Sequence, residues 1–89
     1  MNTYNGYKNN DTWQAMMYLN NNLYDTVYKT VCNMIKNKDN KILVCIYIGA
    51  SIQSYIKKNN LKIDIKNIDY DELYINISAD VFHETNTIN

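Results

Sequence analysis

Apolar positions along this chain recur mostly at helical spacing, broken by runs of Asn, Lys and Asp. From roughly Asp11 to Asn20, the residues Trp13, Met16, Met17 and Asn20 fall at i, i+3, i+4 and i+7, the spacing of one helix face. Asn9, Asn10 and Asp11 are all suited to cap the start of that helix. Asp11 is assigned the role because its charge also suits the positive end of the helix dipole. Asn20-Asn21-Asn22 ends the first helix, and Asn22 caps a second one. In that second helix Leu23, Val27, Val31 and Met34 point inward, and Lys29 and Lys36 point outward. A polar loop follows at residues 37–41.

The next stretch, ILVCIYIGASIQSYIKKNN, admits two readings. Ile42 to Ile48 alone has the composition of a buried strand. As a longer helix it aligns Cys45, Ile48, Gly49, Ile52, Tyr55 and Ile56 and ends in Lys57 and Lys58, cations suited to a helix C-terminus. The helix is preferred, with Gly49 costing about 1 kcal/mol unless it permits a close crossing. Leu61, Ile63 and Ile65 alternate with polar residues, which gives a short extended segment lying on the helices or pairing with a second copy. Asp69-Tyr70-Asp71-Glu72 has the form of a capping box and opens a helix to about Phe82, with Leu73, Ile77 and Val81 inward. The expected fold is mostly α: one domain over residues 1–89, a bundle of about four helices with one short extended segment at 61–66. Residues 1–10 form an N-terminal arm and 83–89 a frayed tail. The alternative is α+β, with strands at 42–48, 61–66 and 73–78.

Composition adjusts the weight given to individual residues. Asn, Ile, Lys and Tyr supply 46 of the 89 residues, and the chain has neither Arg nor Pro. This is the bias of a very AT-rich genome, so an abundant Tyr or Asn says less about function than elsewhere. The hydrophobic share of 46% supports a folded core. Nine Lys balance nine acids, which argues against a dedicated nucleic-acid binder. The acids are unevenly placed: Asp64, Asp69, Asp71, Glu72, Asp80 and Glu84 lie in one stretch against Lys66 alone.

The segment Asn5-Gly6-Tyr7-Lys8-Asn9-Asn10-Asp11-Thr12-Trp13, followed by Leu19-Asn20-Asn21 and Leu23-Tyr24, carries the most information. It resembles a family of short, uncharacterised phage and plasmid proteins whose N-terminal pattern reads Asn-Gly-(Trp/Tyr)-x-Asn-x-Glu-Thr-Trp, then Leu-Asn-Asn and Leu-Tyr. Here Asp11 replaces the usual Glu, and the link before Leu23 is about two residues shorter. The likeness covers about twenty residues. It implies a mobile-element setting and brings no activity or catalytic residue with it. Physically, Gly6 turns the chain, Asp11 caps the first helix, and Trp13 pins that helix to the core.

Candidate chemistry is sparse. Cys32 and Cys45 lack metal-ligand spacing and read as reduced, inert thiols of an intracellular protein. The single His83 has no Cys or His neighbour, so no metal or other cofactor is expected. Ser51, Ser54 and Ser78 lack a nucleophile elbow, and there is no phosphate-binding glycine loop. No signal peptide is expected, and the longest apolar run is too short to span a membrane. The expectation is a non-enzymatic protein of the host cytoplasm that blocks a host defence protein, of the anti-CRISPR or antirestriction kind. Its binding residues would be Tyr70, Asp71, Glu72, Tyr74 and Asp80, the acids imitating nucleic acid. One alternative is a nucleic-acid-binding regulatory module using Lys57, Lys58, Lys62 and Lys66; another is a structural homodimer.

Overall fold

The structure, a computed structural model, describes residues 5–87, and side chains as far as Phe82. The first four residues of the expected arm, the last two of the expected tail and the side chains of His83 and Glu84 lie outside the described residues. Among the described residues there are four helices: α1 (Asn10–Asn21), α2 (Tyr24–Lys36), α3 (Lys41–Lys58) and α4 (Tyr70–Thr87). Each packs on the other three, α3 and α4 most extensively. The α+β alternative is corrected: residues 42–48 and 73–78 are helical, and no strand occurs among the described residues. The α4 backbone continues five residues past Phe82.

The core shows why each helix sits as it does. It draws Ala15, Met16 and Leu19 from α1, Val27 and Val31 from α2, Val44, Ile48, Ile52 and Ile56 from α3, and Leu73, Ile77 and Val81 from α4. In α1 the buried face is Thr12, Ala15, Met16 and Leu19, one residue earlier than the Trp13 stripe. One residue is 100° of rotation, which carries Trp13 to a half-buried position outside the core and leaves Met17 exposed. Trp13 is therefore not the core anchor expected. Thr12 takes the inward place because its hydroxyl accepts the Asp69 N–H at 2.9 Å, so a wholly buried polar group is satisfied.

The caps also differ from expectation. Asn9, not Asp11, caps α1, its Oδ1 accepting the Thr12 N–H at 2.8 Å. Asn22 closes α1 with its own N–H on the Tyr18 carbonyl, and α2 begins from Leu23 with no side-chain cap. Asn40 caps α3 through the Leu43 N–H. Helices α2 and α3 end in the same way. The N–H groups of Lys38 and Asp39 donate to the Ile35 and Met34 carbonyls, and those of Asn60 and Leu61 to Lys57 and Ile56. Both are Schellman closures with the left-handed position at Lys38 (φ 61) and Asn60 (φ 53), where most proteins place Gly.

Between α3 and α4 the chain is irregular. Ile63 and Ile68 are buried while Lys62, Asp64 and Lys66 are exposed, so the one-sided burial read from the alternation holds without a strand partner. Pairing of this segment with a second copy has little backbone to use, since the Asp64 N–H already donates to Asp11 and the Lys66 N–H to Asp64.

Candidate functional site

The N-terminal motif divides into two halves with different jobs. The first half, Lys8 to Thr12, is a clasp on the α3–α4 connection. Asn9 Nδ2 donates to the Asn67 carbonyl at 2.8 Å. Asp11 accepts the Asp64 N–H at 3.3 Å and the Asn67 amide at 2.9 Å. The Lys8 N–H donates to Glu72 at 2.9 Å, and its ammonium lies 3.9 Å from Asp69. Asp69 accepts the Glu72 N–H at 3.2 Å, which is one arm of the expected capping box. The other arm is diverted: Glu72 takes Lys8, and the Asp69 N–H goes to Thr12. Gly6 at φ +88 and Asn5 at φ 49 make the turn that delivers the clasp.

The second half, Trp13 to Tyr24, forms the outer corner where α1 meets α2. Trp13, Gln14, Met17, Tyr18, Asn21 and Asn22 line a concavity of about 260 Å³. Asn20, Asn21, Asn22, Tyr24, Asp25 and Thr26 line another of about 410 Å³. A narrow notch of about 10 Å³ runs between Leu19, Asn20, Tyr24, Val27, Tyr28, Ile77 and Asp80. The three lie side by side: Asn21 and Asn22 border the first two, and Asn20 and Tyr24 the last two. Tyr24 stacks on Tyr28 with ring centres 4.8 Å apart, which fixes one aromatic plane at the rim. The corner thus offers Trp13, Tyr18, Tyr24 and Tyr28 with two acids, Asp25 and Asp80.

The five residues expected to bind a partner do not form one surface. Tyr70 is committed inward. Its hydroxyl donates to the Ile65 carbonyl at 2.7 Å and accepts from Gln53 at 2.9 Å, and its ring covers Gly49. Asp71 turns toward α3, where Lys41 lies 3.7 Å away and the Cys45 thiol 3.9 Å. Burial and then the Asp71 carboxylate push the Cys45 thiol above its ordinary pKa, Lys41 opposing them, so it is a poor nucleophile. Tyr74 is half-buried beneath Lys41, whose ammonium is 5.5 Å from the ring centre. Glu72 holds the clasp. Asp80 alone reaches the α1–α2 corner. Burial, followed by the charges of Glu72 and Asp80, raises the Tyr7 hydroxyl pKa.

Sequence reasoning missed Met17, Tyr24 and Asp25 as surface residues. The available signal was the α1 phase: Ala15 and Leu19 belong with Met16 on one stripe, which turns Trp13 and Met17 outward. Lys57, Lys58, Lys62 and Lys66 are all exposed around the end of α3 and the connection after it. Among the described residues no group of three or more His, Cys, Asp or Glu is placed to hold a metal ion, and no helix is long and apolar enough to cross a membrane. No protein-family model, curated protein or solved structure matches the chain.

Proposed function

We propose that this small helical domain is a non-enzymatic binding protein of phage or mobile-element origin that occludes a host defence protein of the anti-CRISPR or antirestriction kind. The observation that carries the reading is the α1–α2 corner. Trp13, Tyr18, Tyr24 and Tyr28 line neighbouring concavities there, and these residue types dominate binding energy when buried at a protein interface. Asp25 and Asp80 on the same rim suit a basic, nucleic-acid-binding groove on the partner. The other two acids expected to mimic nucleic acid lie apart from this corner, Asp71 beside Lys41 and Glu72 on the Lys8 N–H. The motif resemblance supports the biological setting.

The test is protection of invading DNA in host cells carrying single restriction or CRISPR effectors, with Tyr24→Ala and Asp80→Lys as variants. Both side chains lie at the rim, so the fold is retained, which circular dichroism checks. Loss of protection by at least about tenfold in each variant is expected for an interface hot spot. Full protection by both would remove the corner from the mechanism.

A second reading rests on Lys57, Lys58, Lys62 and Lys66, which make no described ion pair. As a nucleic-acid-binding patch they would give retention on DNA or RNA that falls steeply with salt. Absence of retention at low salt disposes of it.

A further inference from the structure

Asn5-Gly6 leads into the clasp and carries chemistry that the clasp does not use. The chain has sixteen Asn, and Asn5 alone precedes a Gly. An asparagine amide is open to attack by the main-chain nitrogen of the next residue, which closes a cyclic imide on the side-chain Cγ. Steric access governs that step, and a glycine presents no Cβ to obstruct it. At every other Asn that another residue follows, a larger side chain stands in the way. Here both residues are exposed, and a Cβ built on Gly6 would meet nothing within 4 Å. Base and water therefore reach the Gly6 N–H, and the imide has room to form. The turn rests on two left-handed residues, Asn5 at φ 49 and Gly6 at φ 88, and an exposed turn of this kind opens locally while the helices stay folded.

Base removes the Gly6 amide proton, the nitrogen bonds to Asn5 Cγ, and the side-chain nitrogen leaves as ammonia. Water then opens the imide at either carbonyl. One opening leaves aspartate on an unchanged backbone. The other leaves isoaspartate, with the main chain routed through the side-chain carbon. The net change turns amide and water into carboxylate and ammonium, with no oxidant or reductant. We propose that Asn5 is a spontaneous modification site whose conversion to isoaspartate loosens the N-terminal clasp as the protein ages. Isoaspartate adds a methylene to the main chain inside the turn, so the left-handed pair that aims the clasp is lost. Tyr7, packed against the core, and Lys8, whose N–H donates to Glu72, follow directly and lose their alignment. The new carboxylate also competes with Asp69 for the Lys8 ammonium, an exposed pair at 3.9 Å that is weakly held. Asn9 and Thr12 lie beyond the change, so the α1 cap and the bond from the Asp69 N–H to Thr12 remain. The inference uses no residue of the α1–α2 corner, so it stands whether or not that corner binds a host protein.

Ageing the purified full chain in mildly alkaline buffer tests it. Peptide mapping by mass spectrometry follows every Asn, and labelling by an isoaspartyl methyltransferase separates isoaspartate from aspartate. Asn5 is expected to convert at least about tenfold faster than any other Asn, because Gly6 alone leaves the attacking nitrogen unobstructed. Amide hydrogen exchange then reads the clasp: exchange at the Lys8 N–H rises by at least about tenfold in the isoaspartate form, while that at the Asp69 N–H is unchanged. Asn5→Gln, whose longer side chain closes an imide slowly, keeps its own starting exchange through the same incubation. Freshly prepared Asn5→Asp carries the charge on an unaltered backbone and is expected to keep most of the Lys8 protection; its loss there would overturn the backbone account. Conversion at Asn5 no faster than at the other Asn residues overturns the site. Unchanged Lys8 exchange in the isoaspartate form overturns its effect on the clasp.

Discussion

Asn9 joins two parts of the molecule through one amide side chain. Its oxygen caps α1 and its nitrogen holds the Asn67 carbonyl, 58 residues away. Asp11, the stronger candidate on charge alone, spends both carboxylate oxygens on the α3–α4 connection instead. Replacing Asn9 with Ala removes a cap and a tertiary bond together, an expected loss of about 1–2 kcal/mol. Asp11→Ala removes only exposed bonds and is expected to cost less than about 1 kcal/mol. Urea unfolding of the two variants decides the assignment: a larger loss at Asp11 would return the cap to it. Both residue types were legible as caps in the sequence. The choice between them was not, because it depends on where residues 64–67 come to lie.

At the scale of elements, α3 and α4 meet through Gly49 and Tyr70. A Cβ at position 49 would stand 3.2 Å from the Tyr70 Cδ1 and 3.4 Å from its Cε1, closer than ordinary contact. The ring has little room to yield, because its hydroxyl is tied to Ile65 and Gln53. The helix-propensity cost of Gly49 is thus offset by the close approach it allows. Gly49→Val sets a branched side chain against the ring and is expected to destabilise the fold by about 2 kcal/mol. Thermal unfolding measures it, and an unchanged midpoint would mean that the ring moves aside freely. The Ile-rich run 42–48 also admitted a strand, though the helix was preferred, since local composition does not separate a buried strand from a buried helix. Its continuation to Lys58 with a buried face at 44, 48, 52 and 56 settles the matter.

For the whole molecule, alkaline pH probes how the fold treats its weak acids. Tyr7 and Cys45 both have raised pKa values, from burial first and then neighbouring carboxylates. The folded state therefore keeps their protons longer than the unfolded state does. Their contribution is fully present below the unfolded values and is lost as pH rises through the folded ones. The affected window opens near 9.0 for Cys45 and 10.0 for Tyr7. A Tyr7→Phe, Cys45→Ser double variant is expected to show a shallower fall in stability between about pH 8 and 11. Urea unfolding across that range checks it, and parallel curves for variant and parent would show that neither group senses its surroundings.

The sequence by itself favoured four helices over a mixed α+β fold, because helical spacing, cap residues and the polar runs between them are local properties of the chain. It located the C-terminal end of α2 and the start of α4, and it indicated that residues 61–66 bury one face. Only the tertiary structure decided the rotation of α1, in which Thr12 meets the Asp69 N–H and Trp13 takes a half-buried position outside the core. It also dispersed Tyr70, Asp71, Glu72, Tyr74 and Asp80, which are neighbours in sequence but point to different helices around one axis. A helix distributes adjacent residues in all directions, so a cluster along the chain becomes a surface only when packing selects the same side. Packing instead brings Asn20 and Tyr24, from the second half of the N-terminal motif, beside Asp80 at the α1–α2 corner.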